Sequence, residues 1–537
     1  MLAVTASRVV LADYFGAYLD KRELQGALQG TVHDERPSGS DHSELWFDFV
    51  ADIGDGFDAT YSVAYLLGQE HLMVEDQTLQ RGRFLMMGGD EVYPTPTSRR
   101  YENKTKGPYE AALPVPPASG SPNLYALPGN HDWYDGLTGF MRLFVKDGKD
   151  HVGGWTNAQS RSYFAIQLPH RWWLFAVDTQ AGAYIDDPQL QYFHAVAAQV
   201  QEGDRIILCG PSPSWVEAVQ DPGAYDSIDF FVRTVLKPTG ASIKVMLSGD
   251  LHHYARYANE DRELIHCGGG GAYLYPTHRM PEQITVPQPA SLSRKTSEPP
   301  AHYELRSTFP TKAQSRRYAA GVFGRLPRRN FGFVALLGTL QTMLMCSMLG
   351  LFSHHHPVSA LTKRWLELPI GICGLLIVVA CVLFAKSPTG GTLNSTRRTV
   401  LGTAHGAAQI GLGVLGTWLW ETSALPHTAW PWPVPLTLIY LIVAGLASTM
   451  VFCAYLLIAS ALGVNVNELF SAQAIIDSKS FLRMHIDPTG KLTIYPIAVP
   501  RVSRSWVANP DAHGTQSWLV PRQPIKYQFA ESPIEVK

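Results

Sequence analysis

Four short stretches of the 537-residue chain set an acid, amide or imidazole just beyond an apolar run. They are Asp52-Ile53-Gly54-Asp55, Gly89-Asp90-Glu91-Val92-Tyr93, Gly129-Asn130-His131-Asp132 and Gly249-Asp250-Leu251-His252-His253-Tyr254. Carboxylate and amide oxygens suit hard cations, and imidazole suits transition ions, so the set is material for a metal site. If the four meet, the carboxylate of Asp90 can bridge two ions. Asp52 and His252 then complete one, and Asn130 holds the other through its amide oxygen. Two cations about 3.5–4 Å apart clamp the attacking and leaving oxygens of a phosphoryl centre and make hydroxide available near neutral pH. His131 follows Asn130 directly and is placed to protonate a leaving alkoxide or steady charge on phosphoryl oxygens.

Such a meeting needs strands that end together on one edge of a sheet, so that their loops share a crevice. The chain supplies candidates in the runs Leu45–Ala51, Arg83–Met87, Leu124–Leu127, Trp172–Val177, Arg205–Cys209, Ile243–Leu247 and Glu263–Cys267. Each is followed by a Gly-, Pro- or Asp-rich loop, and a helix over Ala59–Leu67 is expected with Asp58 as its N-cap. This alternation predicts a layered α/β domain over residues 1–280. Gly54-Asp55-Gly56-Phe57-Asp58-Ala59 also fits a dinucleotide fingerprint. Asp52, Asp55 and Asp58 would crowd the pyrophosphate there, which argues against that use.

Residues 281–330, rich in Pro and Ser and then in Arg, read as a linker. Residues 331–462 hold four apolar segments, Phe331–Phe352, Leu368–Ala385, Val400–Trp420 and Pro435–Leu462. Each is close to the ~20 residues that a bilayer crossing needs, so an all-α transmembrane bundle is expected. Trp418, Trp420, Trp430 and Trp432 between the third and fourth fit an aromatic belt. Lys and Arg crowd before the first segment, between the second and third (Lys386, Arg397, Arg398) and after the fourth (Lys479, Arg483). That bias predicts a multi-pass protein of the inner membrane with its α/β domain in the cytoplasm and His354-His355-His356 on the far side. Residues 463–537 are polar again, and Asp487-Pro488-Thr489-Gly490 marks the turn of a β-hairpin.

The formal charge of −2 gives no global basic field, so nucleic acid is not an expected partner. The six cysteines show no pairing or thiol-zinc spacing.

The four stretches together resemble the motifs of the calcineurin-like metallophosphoesterases. Gly89-Asp90-Glu91-Val92-Tyr93 looks like the GD-x-x-Y form of the purple acid phosphatase branch. Gly129-Asn130-His131-Asp132 matches the GNH-D/E motif, and Asp52-Ile53-Gly54 matches the D-x-G variant of the first motif. Gly249-Asp250-Leu251-His252 resembles G-H-x-H with Asp250 in place of the first His. The layout, with Gly268-Gly269-Gly270-Gly271-Ala272 ahead of a membrane region, is similar to bacterial membrane-bound members.

The resemblance implies a four-layer α/β/β/α sandwich and a phosphomonoester or phosphodiester substrate hydrolysed by metal-activated water. One ion would take Asp52, Asp90 and His252, with Tyr93 as a further ligand. The other would take Asp90 and Asn130, with Asp250 as a substitute oxygen ligand, and His131 would be the catalytic His. The family's His between the third and last motifs has no counterpart in Leu208–Trp215. An oxygen-rich, imidazole-poor set favours Mn or Fe over Zn. The alternative expectation is a membrane-tethered sensor or scaffold that keeps the fold without turnover.

Overall fold

A computed structural model describes residues 25–28, 30–37, 43–179, 184–291, 299–352, 360–385, 392–427 and 429–536. The chain forms two compact units. One comprises the residues up to Lys312 together with Ile476–Lys537, and the other is Ala313–Ile475.

The first unit is mixed α/β, with two nine-stranded sheets. In chain order its main strands are β1 (Leu45–Val50), β2 (Phe84–Met87), β3 (Asn123–Ala126), β4 (Phe164–Leu168), β5 (Trp172–Ala176), β6 (Arg205–Cys209), β7 (Ser242–Ser248), β8 (Tyr254–Ala258), β9 (Glu263–Cys267), β10 (Ala301–Phe309), β11 (Lys479–Ile486) and β12 (Leu492–Val499). One sheet runs β12-β11-β1-β2-β3 and continues into short edge strands. Its β1, β2 and β3 are parallel, while β11 and β12 are antiparallel. The other sheet runs β4-β5-β6-β7-β9-β8-β10, with β5, β6, β7 and β9 parallel.

Alternation along each strand assigns its two faces. Phe47, Phe49, Phe84 and Met86 from one sheet share a core with Ile166, Leu174, Ile207, Val245 and Leu247 from the other. Val50, Leu85 and Met87 point the opposite way, onto helix α1 (Phe57–Gly68) through Tyr61, Ala64 and Leu67. On the far side Phe175, Ile206 and Met246 meet Phe193 and Val196 of α2 (Asp187–Ala197). The layers are therefore helix, sheet, sheet, helix. α1 has Gly56 rather than Asp58 at its N-cap; the Asp58 carboxylate instead accepts from Trp506 Nε1 at 3.0 Å.

The α/β unit extends well beyond residue 280. The stretch read as a linker carries Gln283–Val286 and β10, both strands of the second sheet. Ala301–Phe309 has few aliphatic residues and much of it is half-exposed, so it lacks the apolar signature of the central strands. The C-terminal hairpin likewise enters the first sheet, where β11 pairs with β1 over Leu482↔Phe49 to Ile486↔Leu45.

The second unit is helical. After the short helix Val322–Arg329 come α3 (Phe331–Phe352), α4 (Ala360–Phe384), α5 (Thr392–Thr422) and α6 (Pro433–Ala461). By length and composition two of them, at Phe331–Leu349 and Pro433–Ala461, could cross a membrane, and Ile370–Phe384 is a shorter apolar stretch. α5 is diluted by glycine and polar residues. Its Gly402 and Gly406 lie where an added Cβ would meet the Cα atoms of Val382 and Val378 at 2.5 and 2.8 Å, so small residues set the close approach of α4 and α5. His354, His355 and His356 lie outside the described residues, as does Lys386.

Candidate metal centre

The four motif loops all leave the carboxyl ends of parallel strands. Asp52 follows β1, Asp90 follows β2, Asn130 follows β3 and Asp250 follows β7. Asp52, Asp90 and Asp250 each adopt a left-handed backbone, with φ of 59°, 56° and 67°. Non-glycine residues take that conformation at a cost, so three acids held in it at neighbouring strand ends point to a built site. The loops are stitched together by Asp52 N–H donating to Gly89 O at 2.9 Å and Ile53 N–H donating to Asp90 O at 3.1 Å.

The hydroxyl of Tyr93 is the hub. Its Oη lies 2.7 Å from Asp52 Oδ1, 2.9 Å from Asp90 Oδ2 and 2.9 Å from His252 Nε2. The other oxygens of the two acids are also engaged: Asp250 N–H donates to Asp52 Oδ2 and His131 N–H to Asp90 Oδ1, each at 2.8 Å. His252 Nδ1 sits 2.7 Å from the carbonyl of Tyr273. With its proton assigned there, Nε2 carries a lone pair toward the acids, the tautomer a metal requires. Three lone-pair donors thus face a single hydroxyl proton.

Asp52, Asp90, Tyr93 and His252 are all buried, at 3% exposure or less. Burial, the charges of Asp90 and Asp250 and their mutual repulsion push the carboxyl of Asp52 well above the usual range. Burial also raises Asp90 to about 6 and, helped by the Asp90 charge, Asp250 to about 7. Burial lowers His252 well below its ordinary value and lowers His131. A buried cluster that resists its own negative charge is relieved by a cation.

Among the described residues no group of three or more His, Cys, Asp and Glu side chains is set to hold a metal ion. The Tyr93 hydroxyl fills the space between the donors, 2.7 Å from Asp52 Oδ1 and 2.9 Å from His252 Nε2. Those two atoms are 3.5 Å apart, close to the span of two ligands each about 2.1 Å from one ion. An ion here requires that hydroxyl to turn aside or become a ligand. With that shift the donor set fits one oxygen-preferring ion.

The second set is thinner. Asn130 Oδ1 is buried with no hydrogen-bond partner, as a waiting ligand atom would be. Its loop passes so close to Asp90 that a Cβ on Gly129 would lie 2.2 Å from Asp90 Oδ1. Asp250 reaches the centre by its backbone N–H. The His131 ring lies tilted at 48° beside Tyr93 with centroids 4.3 Å apart, and its Nδ1 lies 2.8 Å from Pro94 O. The His253 and His266 rings meet each other edge to face, and the charge of His253 acts on His252. His278 lies in a short 3₁₀ turn, Thr277–Arg279.

Glu217 and Lys479, near the centre, lie outside the motifs, and Glu91 and Asp132 lie inside them without having been given a role. Glu217, just after β6, is pushed up to about 7 by burial and the charge of Asp250. It stands close to where the missing His would have been. Lys479, at the start of β11, is fully buried, donates to Ala272 O at 2.5 Å and is lowered to about 8 by burial. Ala272 N–H in turn donates to Asp52 O. Glu91 and Asp132 form a buried acid pair under the Asn130 loop, where Asp132 Oδ2 accepts from Gly129 N–H at 2.9 Å and from Glu91 N–H at 3.2 Å.

No family model matches the chain, and no curated protein does. Among solved structures, GAP50, "the anchor in the inner membrane complex of Plasmodium", is similar over 52% of this chain and 94% of its own. The identity is 13% and the TM-score 0.32, a likeness too slight to bear on the site.

Proposed function

We propose that the α/β unit is a metal-dependent phosphoester hydrolase of the calcineurin-like kind, tethered to a bilayer by its helical unit. The reading is carried by one observation: two carboxylates and an imidazole lone pair converge, buried, on a single hydroxyl. Helix–sheet–sheet–helix layering and ligand loops at parallel strand ends support it. Asp52, Asp90, His252 and Tyr93 would hold one ion, and Asp90, Asn130 and Asp250 a second. Bound there, Mn or Fe would polarise the phosphoryl group and supply hydroxide near neutral pH. His131, half-buried beside Tyr93, would as the imidazolium give its Nε2 proton to the leaving oxygen and end neutral. Its Nδ1 is fixed by the Pro94 carbonyl, so Nε2 is the nitrogen free to act.

The bilayer reading rests on apolar side chains that all four long helices expose. Leu336 and Met343 on α3, Leu375 and Leu383 on α4, Val400 and Leu415 on α5, and Leu438 and Ile442 on α6 are each half-exposed or more. Apolar surface on that scale needs a covering phase. We place the four helices across the inner membrane with the α/β unit in the cytoplasm.

A second reading has its own observation. The Tyr93 hydroxyl already bonds to the acids, so a scaffold without metal or turnover is also self-consistent. Metal analysis of the purified full chain separates the two, together with hydrolysis of an aryl phosphate monoester and diester in added Mn. The hydrolase reading expects bound metal and turnover that Asp90→Asn and His131→Ala abolish in folded protein. Metal-free, inactive wild-type protein would establish the scaffold.

A further inference from the structure

His253 follows a residue of the acid cluster in sequence but belongs to a different environment. It precedes β8, which pairs antiparallel with β9 so that Ala255 faces His266 and Tyr254 faces Cys267. Tyr254 and Cys267 join the core between the sheets, whereas Ala255 and Leu264 join the core under α2. His266, one residue from Cys267, lies on that outer face. There the His253 and His266 rings meet with centroids 4.9 Å apart and planes at 74°. Their exposures are 1% and 0%.

All four ring nitrogens lack a hydrogen-bond partner among the described residues. The Oγ of Ser248, also fully buried, lacks one too. Ser248 is the register partner of His266 on the neighbouring strand β7, so the two side chains rise from the same face. Buried polar atoms left unpaired are rare in folded proteins, and each costs about 1–3 kcal/mol. Five on one face of the sheet, four of them imidazole nitrogens, point to a bound ligand.

The ring geometry says which ligand. An ion bound at about 2.0–2.1 Å by two imidazoles at a tetrahedral angle sets the ring centroids roughly 5 Å apart. The observed separation matches. Imidazole donors select late transition ions such as zinc over the oxygen-loving ions of an acid-rich site. We propose that His253 and His266, with Ser248 Oγ as third donor, bind one zinc-class divalent ion per chain. This site uses none of the side chains of the Asp52–Asp90–His252 cluster, although His253 is next to His252 in the chain.

The test uses the full chain in detergent, stripped with chelator and reloaded with zinc, or with cobalt as a spectroscopic stand-in. Asp90→Asn disables the acid cluster and isolates the proposed site. That variant is expected to retain one zinc per chain and the visible bands of tetrahedral, nitrogen-ligated cobalt. His253→Gln and His266→Gln, each added singly to Asp90→Asn, are expected to lose both signals while circular dichroism stays native. An Asp90→Asn protein that binds no zinc, or histidine variants that keep it, overturns the proposal. So does an experimental structure with only waters between the rings. Should the histidine variants fail to fold, the zinc count of Asp90→Asn alone decides.

Discussion

The guanidinium of Arg483 forks onto the carboxylate of Asp48, with Nε 2.7 Å from Oδ1 and Nη2 3.1 Å from Oδ2. The two stand opposite each other on β11 and β1, and both are buried at 2% exposure or less. The pair fastens the C-terminal hairpin to the strand that delivers Asp52. Removing one partner strands a buried charge, so Arg483→Met should cost about 3–5 kcal/mol of unfolding free energy. Asp48→Asn/Arg483→Met should lose less than Arg483→Met alone. Urea denaturation of the three variants measures both.

Tyr93→Phe deletes the hydroxyl shared by Asp52, Asp90 and His252. In chelator-treated protein the buried acceptors lose their donor, a loss of about 1–3 kcal/mol. Added Mn should narrow the gap to wild type, because an ion replaces what the hydroxyl supplied. Thermal melts with and without Mn test this, and a gap that Mn leaves unchanged counts against an ion at this position.

Gly129→Ala places a methyl group against Asp90, with its Cβ 2.2 Å from Oδ1 and 2.4 Å from the backbone N of Asp90. Either the Asn130 loop or the Asp90 carboxylate must shift. A displacement near 1 Å at reacting groups is worth about 10²-fold in rate, so phosphoester turnover should fall by that order in folded protein. Steady-state kinetics beside circular dichroism checks it.

Burial and the Asp90 charge raise the carboxyl of Asp132 from 3.8 to about 7. The folded chain therefore keeps a proton that the unfolded chain has released. Stability from this group is complete below pH 3.8 and is lost as the pH rises through about 7. Metal-free protein should melt progressively lower across that window, and Asp132→Asn should flatten the decline. Melting temperature against pH for the two proteins is the measurement.

The acids of the centre were legible because each follows a buried apolar strand and lies within two residues of a glycine. That pattern is local and marked Asp52, Asp90 and His252 as candidates, while Tyr93 entered only through the family resemblance. Lys479 and Glu217 were not legible, since their place depends on pairings between distant strands and on the fold of the loop after β6. β10 was missed for a similar reason: Ala301–Phe309 earns its strand by pairing with β8 and Gln283–Val286, not by its own hydrophobicity. Asp58 showed the reverse error, a good capping residue drawn off by the Trp506 indole. The His253–His266 pair gave no sequence signal, because only the β8–β9 register brings the rings together.

The helical unit is an insertion, with strands of one α/β unit on both sides of it. β10 enters before Ala313 and β11 resumes after Ile475, and both must settle in the same aqueous compartment to complete their sheets. Any bilayer threaded by the intervening helices must therefore be traversed an even number of times. An odd count would leave Asp48 and Arg483 on opposite faces of the lipid, and the half-built sheet could never close.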